Sequence, residues 1–221
     1  MNKDIEPIWE FGEENETPVL SILILTIHTR KKEFRALVDF LSEQAKHFPN
    51  EVEIISFYDE KEMRIGPKRD LALGKARGLY VQFWDDDDWA SDDYFFHMIP
   101  ALKRNTDGVG FKVKCEMRDI NGKVVEKSNA IICNRFADWY HEGTETIGGE
   151  VFNYRQFLYH KSPIRRELAL RIGFKDMRMG EDYDFGKRLK PLIKRSEFIN
   201  KYLYYYNFRK EPGGPNKRYA R

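Results

Sequence analysis

Cysteine is nearly missing from this sequence: Cys115 and Cys133 are its two among 221 residues. Two thiols are too few for a disulfide framework, and neither has Cys or His partners at zinc-ligand spacing. Long apolar runs are missing as well. The longest, VLSILILTI at 19–27, has nine residues, against the ~20 that a helix needs to cross a bilayer, so no membrane span is expected. No basic start followed by an apolar stretch marks a secretory signal, and the expected location is the cytoplasm. Internal repeats and low-complexity segments are absent. Net charge is small, +2, but it hides an uneven distribution. Residues 1–18 carry six acidic groups against Lys3, and residues 187–221 carry eleven Lys or Arg against Glu197 and Glu211. Such ends are either solvated or, for the basic one, able to meet phosphates or an anionic surface.

What is present suits one domain with a real core: 41% of the residues are hydrophobic and 14% aromatic, which argues against global disorder. The segment 19–27 is β-branched and leucine-rich without a break, as in a strand buried on both faces. In KKEFRALVDFLSEQAK, Phe34, Leu37, Val38, Leu41 and Ala45 fall at helical spacing. VEIISFY at 52–58 predicts a second strand, PKRDLALGKA a second helix with Pro67 near its first turn, and LYVQFW a third strand. Strand, helix, strand, helix, strand predicts a parallel sheet, in which ligands gather at the carboxyl ends of the strands.

Farther along, YFFHMIPALK predicts a helix interrupted or bent near Pro100. Alternation from Val109 to Met117 predicts a half-exposed strand, and NG at 121–122 a hairpin turn before KVVEKS. Residues 130–160 read as irregular with short strands, where Gly143, Gly148 and Gly149 mark a loop. Ser162 and Pro163 open a helix that Gly173 closes, and a last helix starts near GEDYDF and runs to about Ile193.

The chemistry concentrates in YVQFWDDDDWA, residues 80–90. Unit charges ~4 to 5 Å apart interact at roughly 3 to 4 kcal/mol at an effective dielectric of ~20, so four neighbouring aspartates either face open water or share a cation. Asp85, Asp86, Asp87 and Asp88 are hard oxygen donors that suit Mg or Mn rather than zinc. A solvated acidic turn is the plain alternative, which Phe83, Trp84 and Trp89 make less attractive. An EF-hand lacks its glycine here, and a haloacid-dehalogenase-type phosphatase lacks an aspartate after the first strand, LILTIHTR. Lys68 and Arg69 precede the third strand, where they either neutralise a departing diphosphate or stand as surface charge. Asp59 ends the second strand, and Thr26 and His28 the first. Glu181 and Asp182 form a second acidic cluster, which supplies either a general base or simple stabilisation of a helix start.

Taken in order, these stretches resemble the family 2 glycosyltransferases, inverting enzymes with the GT-A fold. VLSILILTIHTR and VEIISFYDE look like the family's first two strands, and GPKRDLALGKARGLYVQFWDDDDW like its KRN segment and DxD motif. GFKDMRMGEDYDFGKRL is similar to the motif bearing the catalytic base. The resemblance implies an α/β, GT-A domain over residues 19–208: a mostly parallel central sheet flanked by helices, with a small antiparallel part. Residues 1–18 would be an acidic extension and 209–221 a basic tail.

The resemblance also implies roles. Thr26 and Asp59 would contact the nucleotide with Lys68 and Arg69 nearby, and Asp85 and Asp87 would be the DxD pair holding a Mn2+ or Mg2+ ion. Asp86 joins the donor-binding set and Asp88 is the spare metal ligand. Asp182 would be the base with Glu181 beside it, and Arg209, in YLYYYNFRK, would reach the diphosphate. Asp70 departs from the asparagine usual in KRN, Tyr58 and Glu60 alter the acidic motif after the second strand, and the membrane helices of processive relatives are missing. The implied reaction moves a sugar from a UDP-hexose or UDP-N-acetylhexosamine to an acceptor hydroxyl, with a saccharide ranked first as acceptor. Trp89, Trp139 and Tyr140 would stack on a sugar face or belong to the core. The alternatives are transfer onto a modified nucleic acid base, a nucleotidyltransferase or metal phosphohydrolase, and a non-catalytic module binding nucleic acid through the basic tail.

Overall fold

The computed structural model describes residues 6–12, 17–59, 63–119, 123–139 and 145–209, the side chains of residues 208 and 209 excepted. Its first element, β1 (Pro7–Phe11), is not among those the sequence predicts. β1 pairs antiparallel with β3 (Val52–Tyr58) at the edge of the main sheet. There Glu10, one of the N-terminal acids, accepts hydrogen bonds from Ser56 and Arg35 at 2.6 and 2.8 Å.

The predicted alternation follows. β2 (Leu20–Thr26), α1 (Lys31–Ala45), β3, α2 (Ile65–Lys75) and β4 (Tyr80–Asp85) succeed one another, with β2 parallel to both β3 and β4. The cause is burial. Leu20, Ile22, Leu23 and Ile24 have no exposed surface, and α1 buries Phe34, Leu37, Val38, Leu41 and Ala45. Each large aliphatic side chain so enclosed contributes roughly 1.5–3 kcal/mol. At the amino ends of these strands Glu53, 1% exposed, accepts hydrogen bonds from Ser21 and from the Arg77 backbone and guanidinium, both 2.8 Å. This buried carboxylate is satisfied by the chain itself and locks the end of the sheet farthest from the aspartates.

β5 (Trp89–Ala90) and α3 (Tyr94–Leu102) come next, the helix running two residues past Pro100. β6 (Gly108–Arg118) and β7 (Val124–Ile132) are antiparallel as expected, while the NG pair between them falls outside the described residues. β8 (Glu145–Ile147) and β9 (Glu150–Phe152) form a separate hairpin, turned by Gly148 and Gly149 at φ 62° and 83°. β10 (Tyr154–Gln156) lies parallel to β7. The helix expected from Ser162 starts only at Arg166. Ile164 and Arg165 instead make β11 (Ile164–Arg165), wedged antiparallel between β4 and β6, because pairing with Val81 and Gly108 outweighs the local start signal. α4 (Arg166–Ile172) then ends at Gly173, as predicted, and α5 (Glu181–Leu189) begins at the GEDYDF motif.

The chain closes with β12 (Ser196–Arg209), a 14-residue strand parallel to β6 that the sequence reading lacks. The sheet order is β1-β3-β2-β4-β11-β6-β12-β5, parallel in β3-β2-β4 and β6-β12 and antiparallel at the joints. α1 packs with α3, and α2 with α4 and α5. Because side chains alternate along β4, Phe83 meets Phe174 on one face while Trp84 meets Tyr94 and Tyr204 on the other. Among the described residues no helix is long and apolar enough to cross a membrane.

Candidate functional site

The carboxyl ends of β2, β3 and β4 carry Thr26, Asp59 and Asp85. The same alternation continues past β4 and sends the four aspartates in different directions. Asp85 follows Phe83 to the face of α2 and α5, where Arg69 lies 3.7 Å away. Asp86 turns to the opposite side, accepting a hydrogen bond from Thr26 Oγ1 at 2.8 Å and from Arg30 at 2.7 Å. A turn closed by Asp88 N–H to Asp85 C=O (3.1 Å) then folds the last aspartate inward. Asp88 accepts from Lys161 at 2.7 Å, from the Tyr204 hydroxyl, and from the Asn207 backbone N–H at 2.8 Å. Asp87 keeps one ion pair, to Arg30 at 3.3 Å.

Exposure separates the four. The side chains of Asp85 and Asp87 are 35% and 14% exposed, those of Asp86 and Asp88 3% and 0%. The expectations for Asp88 as a spare metal ligand and Asp86 as a donor contact therefore meet a different geometry. Both oxygens of each are committed to protein donors, because a buried carboxylate costs several kcal/mol unless its lone pairs are filled.

Electrostatics follows the same division. Burial opposes ionisation of Asp85, but Lys161 and Arg69 together overcome it and hold its carboxyl well below the usual range. At Asp88 burial outweighs Lys161, and the carboxyl is pushed up to about 7. One ammonium cannot fully compensate two carboxylates. Burial also raises Asp87, against the pull of Arg30. In these ion pairs five carboxylates, Asp85 to Asp88 and Glu181, share three cations, Arg30, Arg69 and Lys161.

The second acidic cluster is brought to the first by α2. Arg69 donates to Glu181 Oε1 at 2.7 Å while its other nitrogen faces Asp85, and its guanidinium lies over the rings of Phe83 and Phe174. Lys68, one residue earlier, pairs with Asp59, both buried. The approach depends on Gly66, where a Cβ would sit 2.2 Å from the Lys175 carbonyl oxygen. Gly66→Ala is expected to push α2 from the segment before α5 and to cost about 1–3 kcal/mol. Urea unfolding of the variant checks this, and an unchanged midpoint would show that the two segments adjust freely.

Asp182 stands half-buried in the first turn of α5, its Oδ1 taking the Tyr183 N–H at 2.8 Å. Burial raises the Tyr159 hydroxyl well above its ordinary range, with Lys161 pulling it down and Asp182 and Asp85 adding smaller upward pushes. Trp139 packs on Phe157, Tyr159 and Tyr183, and Trp89 on Phe40, which makes both part of the packing. Tyr140, Glu60 and the chain beyond 209 fall outside the described residues, as does the Arg209 side chain. At the ends of β2 and β3 a cavity of about 290 Å3 is lined by Thr26, Ile27, His28, Phe34, Ser56 and Tyr58, among others.

Residues 24–167, about two thirds of the chain, match the model of glycosyl transferase family 2. The chain belongs to that family. As a family 2 glycosyltransferase it is similar in fold to S. aureus TarS. The crystal structure of TarS 1-349 has 18% sequence identity and a TM-score of 0.52, covering 85% of this chain and 60% of that one. TarS 1-349 in complex with UDP-GlcNAc gives 17% and 0.53, covering 87% and 59%, and the complex with UDP gives 17% and 0.53, covering 85% and 60%. The glycosyltransferase chain thus spans about 60% of the length of TarS 1-349. No curated protein sequence matches it.

Sequence reasoning missed Arg30, Lys161, Tyr204 and Asn207. Arg30 was within view, four residues after Thr26, but its partners come 56 residues later. Lys161, Tyr204 and Asn207 reach the aspartates only through β11 and β12, neither of which has a local signature.

Proposed function

We propose that this chain moves a sugar from a UDP-sugar, a UDP-hexose or UDP-N-acetylhexosamine, to a saccharide hydroxyl with inversion at the anomeric carbon. The observation that carries the reading is Arg69: one buried guanidinium joins the acids after β4 to the acids that open α5, motifs about a hundred residues apart. The complexes of TarS with UDP-GlcNAc and UDP favour uridine as the nucleoside. The cavity lined by Thr26, His28 and Tyr58 suits the nucleoside end of such a donor.

Among the described residues no three or more His, Cys, Asp or Glu converge as a metal cage. Mg and Mn, however, commonly take one or two carboxylates and complete their shells with water and substrate phosphate. The hard oxygens of Asp85 and Asp87 and the surplus of carboxylates over cations fit that mode. Asp85 and Asp87 would hold the ion, which when bound supplies positive charge to the diphosphate. Arg69 and Lys68 add fixed positive charge beside the leaving group. Asp182 takes the proton from the acceptor hydroxyl, and Glu181, already bound to Arg69, holds that cation in place.

For the acceptor, a groove of about 620 Å3 lies past β5. Phe96, Tyr202 and Tyr205 line it with Asp92, Asp93 and Lys201. Ser91 on its wall is three residues from Asp88, so at most about 11 Å separates their Cα atoms. Aromatic faces beside carboxylates suit a pyranose ring and its hydroxyls. Transfer to oligosaccharides with none to nucleic acid is the expected outcome of an acceptor screen, and the reverse would reject a saccharide.

The donor half is tested by calorimetry with UDP. Binding is expected to require Mn2+ or Mg2+ and to weaken at least roughly tenfold in Asp87→Ala, which removes one of the two partly exposed carboxylates of the turn. Unchanged binding would remove the metal assignment.

A further inference from the structure

Lys161 has no role in the reading above, yet its position is built. The turn before β11, closed by Ser162 N–H to the Tyr159 carbonyl at 2.8 Å, is tied to β4: the Phe83 N–H donates to the His160 carbonyl at 2.8 Å and Gln82 Nε2 to the Lys161 carbonyl at 2.8 Å. This fixes the ammonium 2.6 Å from Asp85 Oδ2 and 2.7 Å from Asp88 Oδ2, with the side chain 9% exposed. The rings of Tyr204 and Tyr206 lie over it at 4.9 and 4.1 Å. Two carboxylates and two aromatic faces thus meet the ammonium, an environment that favours a cation. One of its two carboxylates, Asp88, is sealed off from solvent. The other, Asp85, is the most exposed of the four aspartates.

We propose that Lys161 is a resident cation of the donor site, a positioning residue that shapes the aspartate turn and sets the affinity for the divalent ion by sharing Asp85 with it. The proposal rests on the reading that Asp85 and Asp87 hold that ion. Physically, the ammonium neutralises part of the charge that would otherwise draw a metal, and it repels a second cation arriving at the same carboxylate. Without it, Asp88 would lose its cation and Asp85 would keep Arg69 alone, at 3.7 Å, a shortfall of positive charge that a divalent ion satisfies better than water does.

The test is calorimetric titration of the full chain with MnCl2 alone. Lys161→Met, which keeps most of the apolar stem and removes the charge, is expected to bind Mn2+ about tenfold tighter or more than the parent, and Lys161→Arg to return to the parent affinity. A lysine that merely braced the fold would give the opposite sign, because its loss would loosen the carboxylates. If the parent binds Mn2+ and Lys161→Met binds no tighter, the proposal falls while the metal reading stands. If neither binds Mn2+, with UDP present or absent, both fall. Should Lys161→Met be unfolded in chelator, its thermal unfolding with Mn2+ decides. Recovery of a cooperative transition supports charge replacement by the metal, and no recovery overturns it.

Discussion

Asp182→Asn is expected to lower the rate of sugar transfer about 10²–10⁴-fold, the range typical for loss of a general base, while leaving the affinity for UDP at the parent value. The two acids at the start of α5 are adjacent but differently used. Glu181 is buried and bound to Arg69 at 2.7 Å, so its carboxylate is committed. Asp182 is half-buried, takes one hydrogen bond from the next backbone N–H, and has no cation partner among the described residues. Asparagine preserves its size and that hydrogen bond but cannot accept a proton. Single-turnover transfer and UDP calorimetry on the same preparation separate the effects. Transfer at the parent rate would mean that another group is the base.

Arg69→Met should be the most damaging change to the fold of the site. The guanidinium is 7% exposed, lies over Phe83 and Phe174, and holds Glu181, itself only 10% exposed. Removing it strands a buried carboxylate, for which the expected cost is about 3–5 kcal/mol. Methionine keeps most of the apolar contact, so the loss reports the charge rather than a cavity. The double variant Arg69→Met/Glu181→Gln should recover part of the stability, since Glu181 is then no longer a stranded charge while Asp85 still pairs with Lys161, and it is expected to stay inactive if Arg69 serves the leaving diphosphate as proposed. Urea unfolding and transfer assays of the single and the double variant check this. A single-variant loss under about 1 kcal/mol would mean that Glu181 finds water or another donor, and that the bridge between the motifs is incidental.

Much of this arrangement is legible along the chain, and the reason is locality. The run from Leu20 to Thr26, the helical spacing in α1 and the turn from β4 into four aspartates are short-range patterns, and each predicts an element whose end delivers a residue to one edge of a sheet. The glycine that closes α4 and the acids that open α5 are likewise capping signals read within a few residues. Helix α4 shows where locality fails: Ser162 and Pro163 signal a helix start, but Ile164 is taken into the sheet between Val81 and Gly108. β12 escapes notice because YLYYYNF is aromatic on both sides of the strand, with no polar alternation to betray it.

The amino-acid sequence alone determined the alternating α/β order, the family and the residues at the strand ends, because periodicity and motif spacing are set by neighbours. Which aspartates keep solvent-accessible oxygens was decided by the tertiary structure. Four identical side chains differ only in what reaches them, and Thr26 and Arg30 at Asp86, or Lys161, Tyr204 and Asn207 at Asp88, arrive from 56 to 119 positions away. Burial and charge compensation are properties of that assembled neighbourhood, so no pattern local to DDDD could have carried them.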